Sequence, residues 1–358
     1  MDKERIAWLD IAKLLGIIAI FCGHLGLETG NLHDFVFHYH VPLFFFISGI
    51  FAVRLERLNL KDAVKKRFEQ IIMPYTFFVM ISMIMIIVMQ QEDFIVYLKY
   101  LKQFIWGIRN QMYASSLWFF SCLFCMSVLF EVLRRLLKSK ILIFIAAICI
   151  YILSITLFPN RPDQQPSLFF NIDSACFYLI YYTLGYFYSS LLRKPVCDTH
   201  KREGGRKRIV SLVGIAALSS YVILVYVGED INIIVKLIYY KLPVAGEIYP
   251  IIRAMLLILF NLVLARLLSG FRKLADIGAQ TLWLCGNEFV VKRIFDAAAS
   301  IFGWKITITS ALAAVIYALV MIAFIIKVLA PIEMKLYKKY KDCIRQLCPI
   351  LFKKVQER

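Results

Sequence analysis

"DIAKLLGIIAIFCGH", Asp10 to His24, decides how this chain is read. It has the apolar character of a membrane-spanning helix, yet it holds a carboxylate, an ammonium and an imidazole. Each is costly in hydrocarbon, roughly 2.5–3.5 kcal/mol for a charge at mid-helix on insertion scales, so such groups face a polar cavity or a partner. Lys13 and His24 are eleven residues apart. At about 100° per residue they share one helix face, separated by roughly 16 Å along the axis. Asp10 precedes Lys13 by three residues, on nearly the same face, where the two can pair. Two readings stand: a cavity lined by Lys13 and His24, or a structural Asp10–Lys13 pair with His24 as an interfacial anchor.

The rest of the chain supports the membrane reading. Of 358 residues 61% are hydrophobic, and mean hydropathy is +0.71. Long apolar runs separated by charged loops predict an all-α, polytopic membrane bundle of about ten spans. These fall near 6–25, 35–53, 72–90, 116–136, 141–158, 174–192, 208–228, 250–268, 279–302 and 306–329. Residues 94–107 are apolar enough to lie in the interface. The ninth run, with Gly278, Gly286, Asn287 and Glu288, is polar enough to be broken or re-entrant.

The basic residues set the orientation. With the N-terminus cytoplasmic, 31 Lys and Arg fall in inside segments, 7 in outside loops and 4 within spans. This asymmetry predicts an even number of spans with both termini cytoplasmic. The net charge of +18 is therefore mainly a topology device, with anionic lipid headgroups as its partners. There is no nucleic-acid module, phosphate loop, dinucleotide glycine pattern or internal repeat, and nucleic acid is not an expected partner. The nine cysteines have no framework spacing. Most lie in apolar runs, and Cys122-x-x-Cys125 reads as helix packing. The first apolar run lacks a secretory cleavage pattern. Two domains are expected: a transmembrane domain over 1–330, and a basic cytoplasmic tail over 331–358 whose "KLYKKYKD" suits either an amphipathic helix on the inner surface or a plain solvated tail.

In the second span, "FHYHVPLFFFISGIF" (37–51) sets His38 and His40 at the outer entrance and Ser48-Gly49 within. Pro42 suits a first helical turn. The His-x-His alternation does not converge on a helix face, so no metal site is expected.

These residues carry a resemblance. "LDIAKLLGIIAIFCGH" (9–24) followed by "HVPLFFFISG" (40–49) resembles the opening of the membrane-bound acyltransferase-3 family, in particular its fucose 4-O-acetylase-like sugar acetyltransferases. The family sets a basic residue, ten spacers and a His in its first helix; Lys13 and His24 match. His40, Pro42, Ser48 and Gly49 match its second helix. "KKRFEQIIMPY" (65–75), "SLWFFSCLF" (116–124) and "LIYYTLGYF" (179–187) are similar to its later segments. Two places depart. Gln70 stands where a second Arg often follows Arg67, and Asn287 and Glu288 stand near the place of a late His.

The resemblance implies an integral O-acyltransferase of a bacterial-type inner membrane. It would move acetyl from acetyl-CoA to a sugar hydroxyl of an envelope or exported glycan or a lipid-linked precursor. No bound cofactor is expected; acetyl-CoA would be the donor substrate. His24 is the candidate general base, and Lys13, the second catalytic candidate, would help hold an anionic donor. Asp10, His40, Ser48, Arg54, Arg67, Asn287 and Glu288 are candidate donor- or substrate-binding residues. Arg54, Lys65, Lys66 and Arg67 form a cytoplasmic basic cluster suited to CoA phosphates; Ser48, Asn287 and Arg253 are candidates near the outer half. Two alternatives stay open: a catalytically silent relative, kept alive by the two departures, and a glycan-precursor transporter or flippase.

Overall fold

The structure, a computed structural model, describes residues 5–26, 31–90, 92–192, 213, 214, 217 and 243–347. The seventh apolar run, the basic loop at 193–208 and the last eleven residues lie essentially outside the described residues. Among the described residues every regular element is helical. In chain order these are α1 (Ala7–Gly23), α2 (Asn31–Phe37), α3 (His40–Ile50), α4 (Leu60–Arg67), α5 (Met73–Gln90), α6 (Phe94–Trp106), α7 (Trp118–Leu137), α8 (Lys140–Thr156) and α9 (Ile172–Leu192). They continue with α10 (Pro243–Leu267), α11 (Arg272–Gly278), α12 (Thr281–Gly286), α13 (Glu288–Ile301), α14 (Ala311–Phe324) and α15 (Ala330–Leu347). Among the described residues five helical runs are long and apolar enough to cross a membrane: Leu32–Leu55, Leu60–Gln90, Ser115–Leu137, Glu247–Gly270 and Ala311–Leu347.

Two of these runs are single helices carried through a wide turn. α4 joins α5 through a π-helical turn at Phe68–Ile72, and α14 joins α15 through another at Ile325–Leu329. Each ends two residues before a proline, Pro74 and Pro331. A proline has no N–H for the carbonyl four residues back, and its ring crowds that carbonyl. A one-residue widening of the helix absorbs both problems without a break. The ninth apolar run does break. Asn287 leaves helical geometry (φ −101°, ψ 3°) between α12 and α13.

The chain forms two compact units. The first comprises residues 1–47, 190–281 and 308–318. In it α1 packs on α2, α10 and α11, and small residues permit the close approaches. A side chain at Gly16 would meet Phe44 at 2.8 Å and Leu43 at 2.9 Å. One at Gly278 would run into the backbone carbonyl of Asp10. α1 is buried along most of its length, including Leu9, Ile11, Ala12, Ile17, Phe21 and Cys22. The second unit comprises residues 48–189, 282–307 and 319–358. There α7 packs on α4, on the first π turn and on α8, while α5 meets α6, α13 and α15. The aromatic rings of Phe77, Trp283, Tyr337 and Tyr340 join α5, α12 and α15.

Candidate active site

The first unit contains Asp10, Lys13, His24 and His40. Asp10 is buried, and its carboxylate is held from both sides: Lys13 Nζ at 2.6 Å and Arg5 Nε at 2.8 Å. Arg5 also donates to Asp276 of α11 at 2.9 Å. A carboxylate taken out of water needs such compensation. The i,i+3 spacing supplies Lys13; the chain entering α1 supplies Arg5. Gly278, the last residue of α11, lets that helix sit on the Asp10 carbonyl, while Thr281 Oγ1 donates to the Gly278 carbonyl. Gly278 and Thr281 thus support the clasp around Asp10.

His24 caps the far end of α1. Its backbone N–H donates to the Ile20 carbonyl at 3.0 Å, and the helix stops there. Gly26 takes a positive φ of 107°, a conformation glycine adopts without a Cβ penalty. At Gly23 an added Cβ would meet Val36 at 2.7 Å and Phe37 at 3.0 Å, so α2 approaches this end of α1 closely. The half-buried His24 ring meets the ring of His40 edge-on, with centroids 6.1 Å apart. Both imidazoles also contact Phe37. His40 is 3% exposed, and its Nδ1 lies 2.6 Å from the Val36 carbonyl. A carbonyl only accepts, so Nδ1 carries a proton. The first unit therefore brings together an imidazole pair at one end of α1 and a carboxylate between two cations near the other. Lys13 and His24 are not in contact; the helix holds them roughly 16 Å apart along its axis.

The second unit contains Ser48, Arg54, Arg67, Asn287 and Glu288. Ser48 precedes Gly49, where an added Cβ would run into the Tyr182 carbonyl of α9. Arg67, in the last turn of α4, donates from Nη2 to the Tyr182 hydroxyl at 2.9 Å. Its Nε is buried with no hydrogen-bond partner in the protein. Glu131 and Arg134 of α7 act electrostatically on the same tyrosine. Glu131 is fully buried, paired with Arg134 at 2.9 Å and with Arg135, which also donates to the Leu58 carbonyl at 2.8 Å. Gln70 is exposed. Arg54 stacks over Phe51, 4.5 Å from its centroid, apart from the Arg67 contacts. Arg67 thus bears on Tyr182, while Arg134 and Arg135 bear on the Glu131 carboxylate.

Asn287 is fully buried. Its amide donates to the Trp283 carbonyl at 3.1 Å and to Glu333 of α15. Both amide protons are spent holding the helix break to a neighbouring helix. Glu288, next in sequence, is buried and pairs with Lys292 at 2.7 Å. Arg253, on α10, lies over the Tyr249 ring. Arg5, Asp276, Glu131, Arg134, Tyr182 and Glu333 were not singled out in the sequence. The i,i+3 and i,i+4 spacing of Glu131 with Arg134 and Arg135 is a readable pair signal. The Asn287–Glu333 and Arg67–Tyr182 contacts join residues 46 and 115 positions apart, beyond any local pattern.

Comparison with known proteins adds one finding. No curated protein and no solved structure matches the chain. The acyltransferase-3 family model, described as an acyltransferase domain, matches residues 6–330, which takes in most of both compact units and every site residue above except Arg5 and Glu333. An all-helical chain with membrane-length apolar helices, matched over that range, belongs to the acyltransferase-3 family of membrane acyltransferases.

Proposed function

We propose that the protein moves acetyl from acetyl-CoA to a sugar hydroxyl of an envelope or exported glycan, as its fucose 4-O-acetylase-like motifs imply. The observation that carries this reading is the paired imidazole, His24 against His40, at the end of a helix inside the family match. A sugar hydroxyl is a weak nucleophile at neutral pH. His24 takes its proton as the oxygen attacks the thioester carbonyl, work typically worth ~10²–10⁴ in rate. The tetrahedral intermediate collapses, the C–S bond breaks, and the departing CoA thiolate takes up the proton that His24 carries. His40, fixed as the Nδ1–H tautomer by Val36, packs against the base and limits its rotation.

Lys13 has no direct part in that proton transfer. Its charge, held by Asp10, serves an anionic part of the donor. Arg67, Arg134 and Arg135 form the second cationic group suited to CoA phosphates, with the bidentate geometry that guanidinium offers. Arg67 Nε is a buried donor with an unused proton, and buried donors are ordinarily paired.

The reading includes the membrane topology: about ten spans in a cell membrane, both termini cytoplasmic, anionic lipids at the basic face. The late His of the family pattern is replaced by Asn287 and Glu288, both engaged in structural contacts, so the chemistry is assigned to the first unit. Purified protein in detergent, given acetyl-labelled acetyl-CoA and glycan acceptors, should label the glycan. CoA release without glycan labelling, or no turnover across neutral glycans and lipid-linked sugars, would favour the silent-relative or transporter reading.

A further inference from the structure

A cavity of about 330 Å³ lies within the second unit, a volume at the lower end of the range for small-molecule sites. One wall is the turn before α7, where Tyr113, Ser115 and Ser116 stand. The other is a single face of α13: Glu288, Lys292 and Asp296 follow at four-residue intervals, with Phe289 and Arg293 beside them. This spacing lines side chains up along one helix.

The wall is preorganised. Arg293 Nη2 donates to the Tyr113 hydroxyl at 2.8 Å, and Gln90 holds the same hydroxyl from α5. The Tyr113 and Phe289 rings meet edge-on at 5.3 Å, with the Arg293 guanidinium 5.4 Å from one centroid and 5.6 Å from the other. Ser116 Oγ is buried with no hydrogen-bond partner in the protein.

The charges select the occupant. Two carboxylates, Glu288 and Asp296, offset two cations, Lys292 and Arg293. A CoA or phosphate ligand would meet as much negative as positive charge here. A polyhydroxylated neutral molecule meets carboxylates that accept from its hydroxyls, cations that donate to them, and aromatic rings that pack on its C–H faces. We propose that this cavity binds a neutral saccharide unit of the acceptor and so sets acceptor specificity. The proposal rests on the glycan-acceptor reading above. In the topology given there, the turn bearing Tyr113 is on the outer side, where an exported glycan is met.

The test uses the full-length protein in detergent and three probes: the neutral and the anionic saccharide fractions released from the envelope of the producing cell, and acetyl-CoA. Binding is read by saturation-transfer NMR and calorimetry, and transfer by acetyl incorporation. The neutral fraction should bind. Ser116→Trp, which fills the cavity, should weaken that binding by about tenfold or more and leave acetyl-CoA affinity unchanged. Asp296→Lys, at an exposed position where folding is not at issue, should shift preference from the neutral to the anionic fraction. Absence of neutral-saccharide binding by wild type, or unchanged binding in both variants, or a matching loss of acetyl-CoA affinity, overturns the proposal. Saccharide binding that both variants alter, without any acetyl transfer by wild type, would retain the cavity and refute the acyltransferase reading. Transfer by wild type with acceptor kcat/KM unaltered in both variants would do the reverse.

Discussion

At the scale of single residues, Asp10 is the clearest case of a polar group whose cost is met locally. It sits buried between Lys13 and Arg5. The Lys13 half of that clasp was legible from a three-residue spacing. The Arg5 and Asp276 half was not, because it depends on α11 folding back across 271 residues of sequence. Asp10→Ala leaves Lys13 without the anion beside it, and breaking a buried pair from one side costs about 3–5 kcal/mol. Thermal unfolding in detergent should show a clear loss of stability for Asp10→Ala. A double Asp10→Ala/Lys13→Met variant should recover part of it, since no cation is then left beside an empty place. Arg67 gives a prediction of another kind. If its buried Nε and the neighbouring arginines meet the donor's phosphates, Arg67→Met should raise the KM for acetyl-CoA by roughly tenfold or more and leave acceptor KM unchanged. Steady-state kinetics with each substrate varied separately decides this; an acceptor effect alone would move Arg67 out of the donor site.

At the scale of helices, the existence of the elements was written in long apolar runs, and their interruptions in proline, glycine and asparagine. Pro74 and Pro331 mark the two π turns, and the Gly286-Asn287 pair marks the break between α12 and α13. The partners of those helices were not legible, because hydrophobic periodicity is weak in segments that are apolar all round. What fixes the packing instead is where small residues allow backbones to touch. At Gly49 and Gly278 an added methyl would meet a main-chain carbonyl, which cannot rotate away as a side chain can. Gly49→Ala and Gly278→Ala should each lower stability by about 1–3 kcal/mol, the usual cost of overpacking. Gly270→Ala, with no atom within 4 Å of the added carbon, should lie near wild type. Comparing melting temperatures of the three variants tests the close approaches; equal behaviour of Gly49→Ala and Gly270→Ala would refute them.

At the scale of the whole molecule, the 31-to-7 distribution of basic residues predicts which side each loop faces. In a cysteine-free background, cysteines placed at Ile95 and Gln165 should react with an impermeant maleimide in intact cells. Cysteines at Leu60 and Arg345 should react only after lysis, and the opposite pattern would invert the topology. In the proposed function that orientation would give the donor a cytoplasmic basic face and the acceptor an outer entrance; α1 carries its ion pair near one end and its imidazole at the other. The central claim is that the imidazole at the end of α1 is the base of acyl transfer. The direct measurement is acetyl incorporation from labelled acetyl-CoA into glycan by the wild type and by His24→Ala, with thermal unfolding recorded on the same preparations. The account predicts that His24→Ala folds with near wild-type stability and loses ~10²–10⁴ or more in rate. Full activity in a stably folded His24→Ala protein would contradict it and return the polar residues of α1 to a structural role.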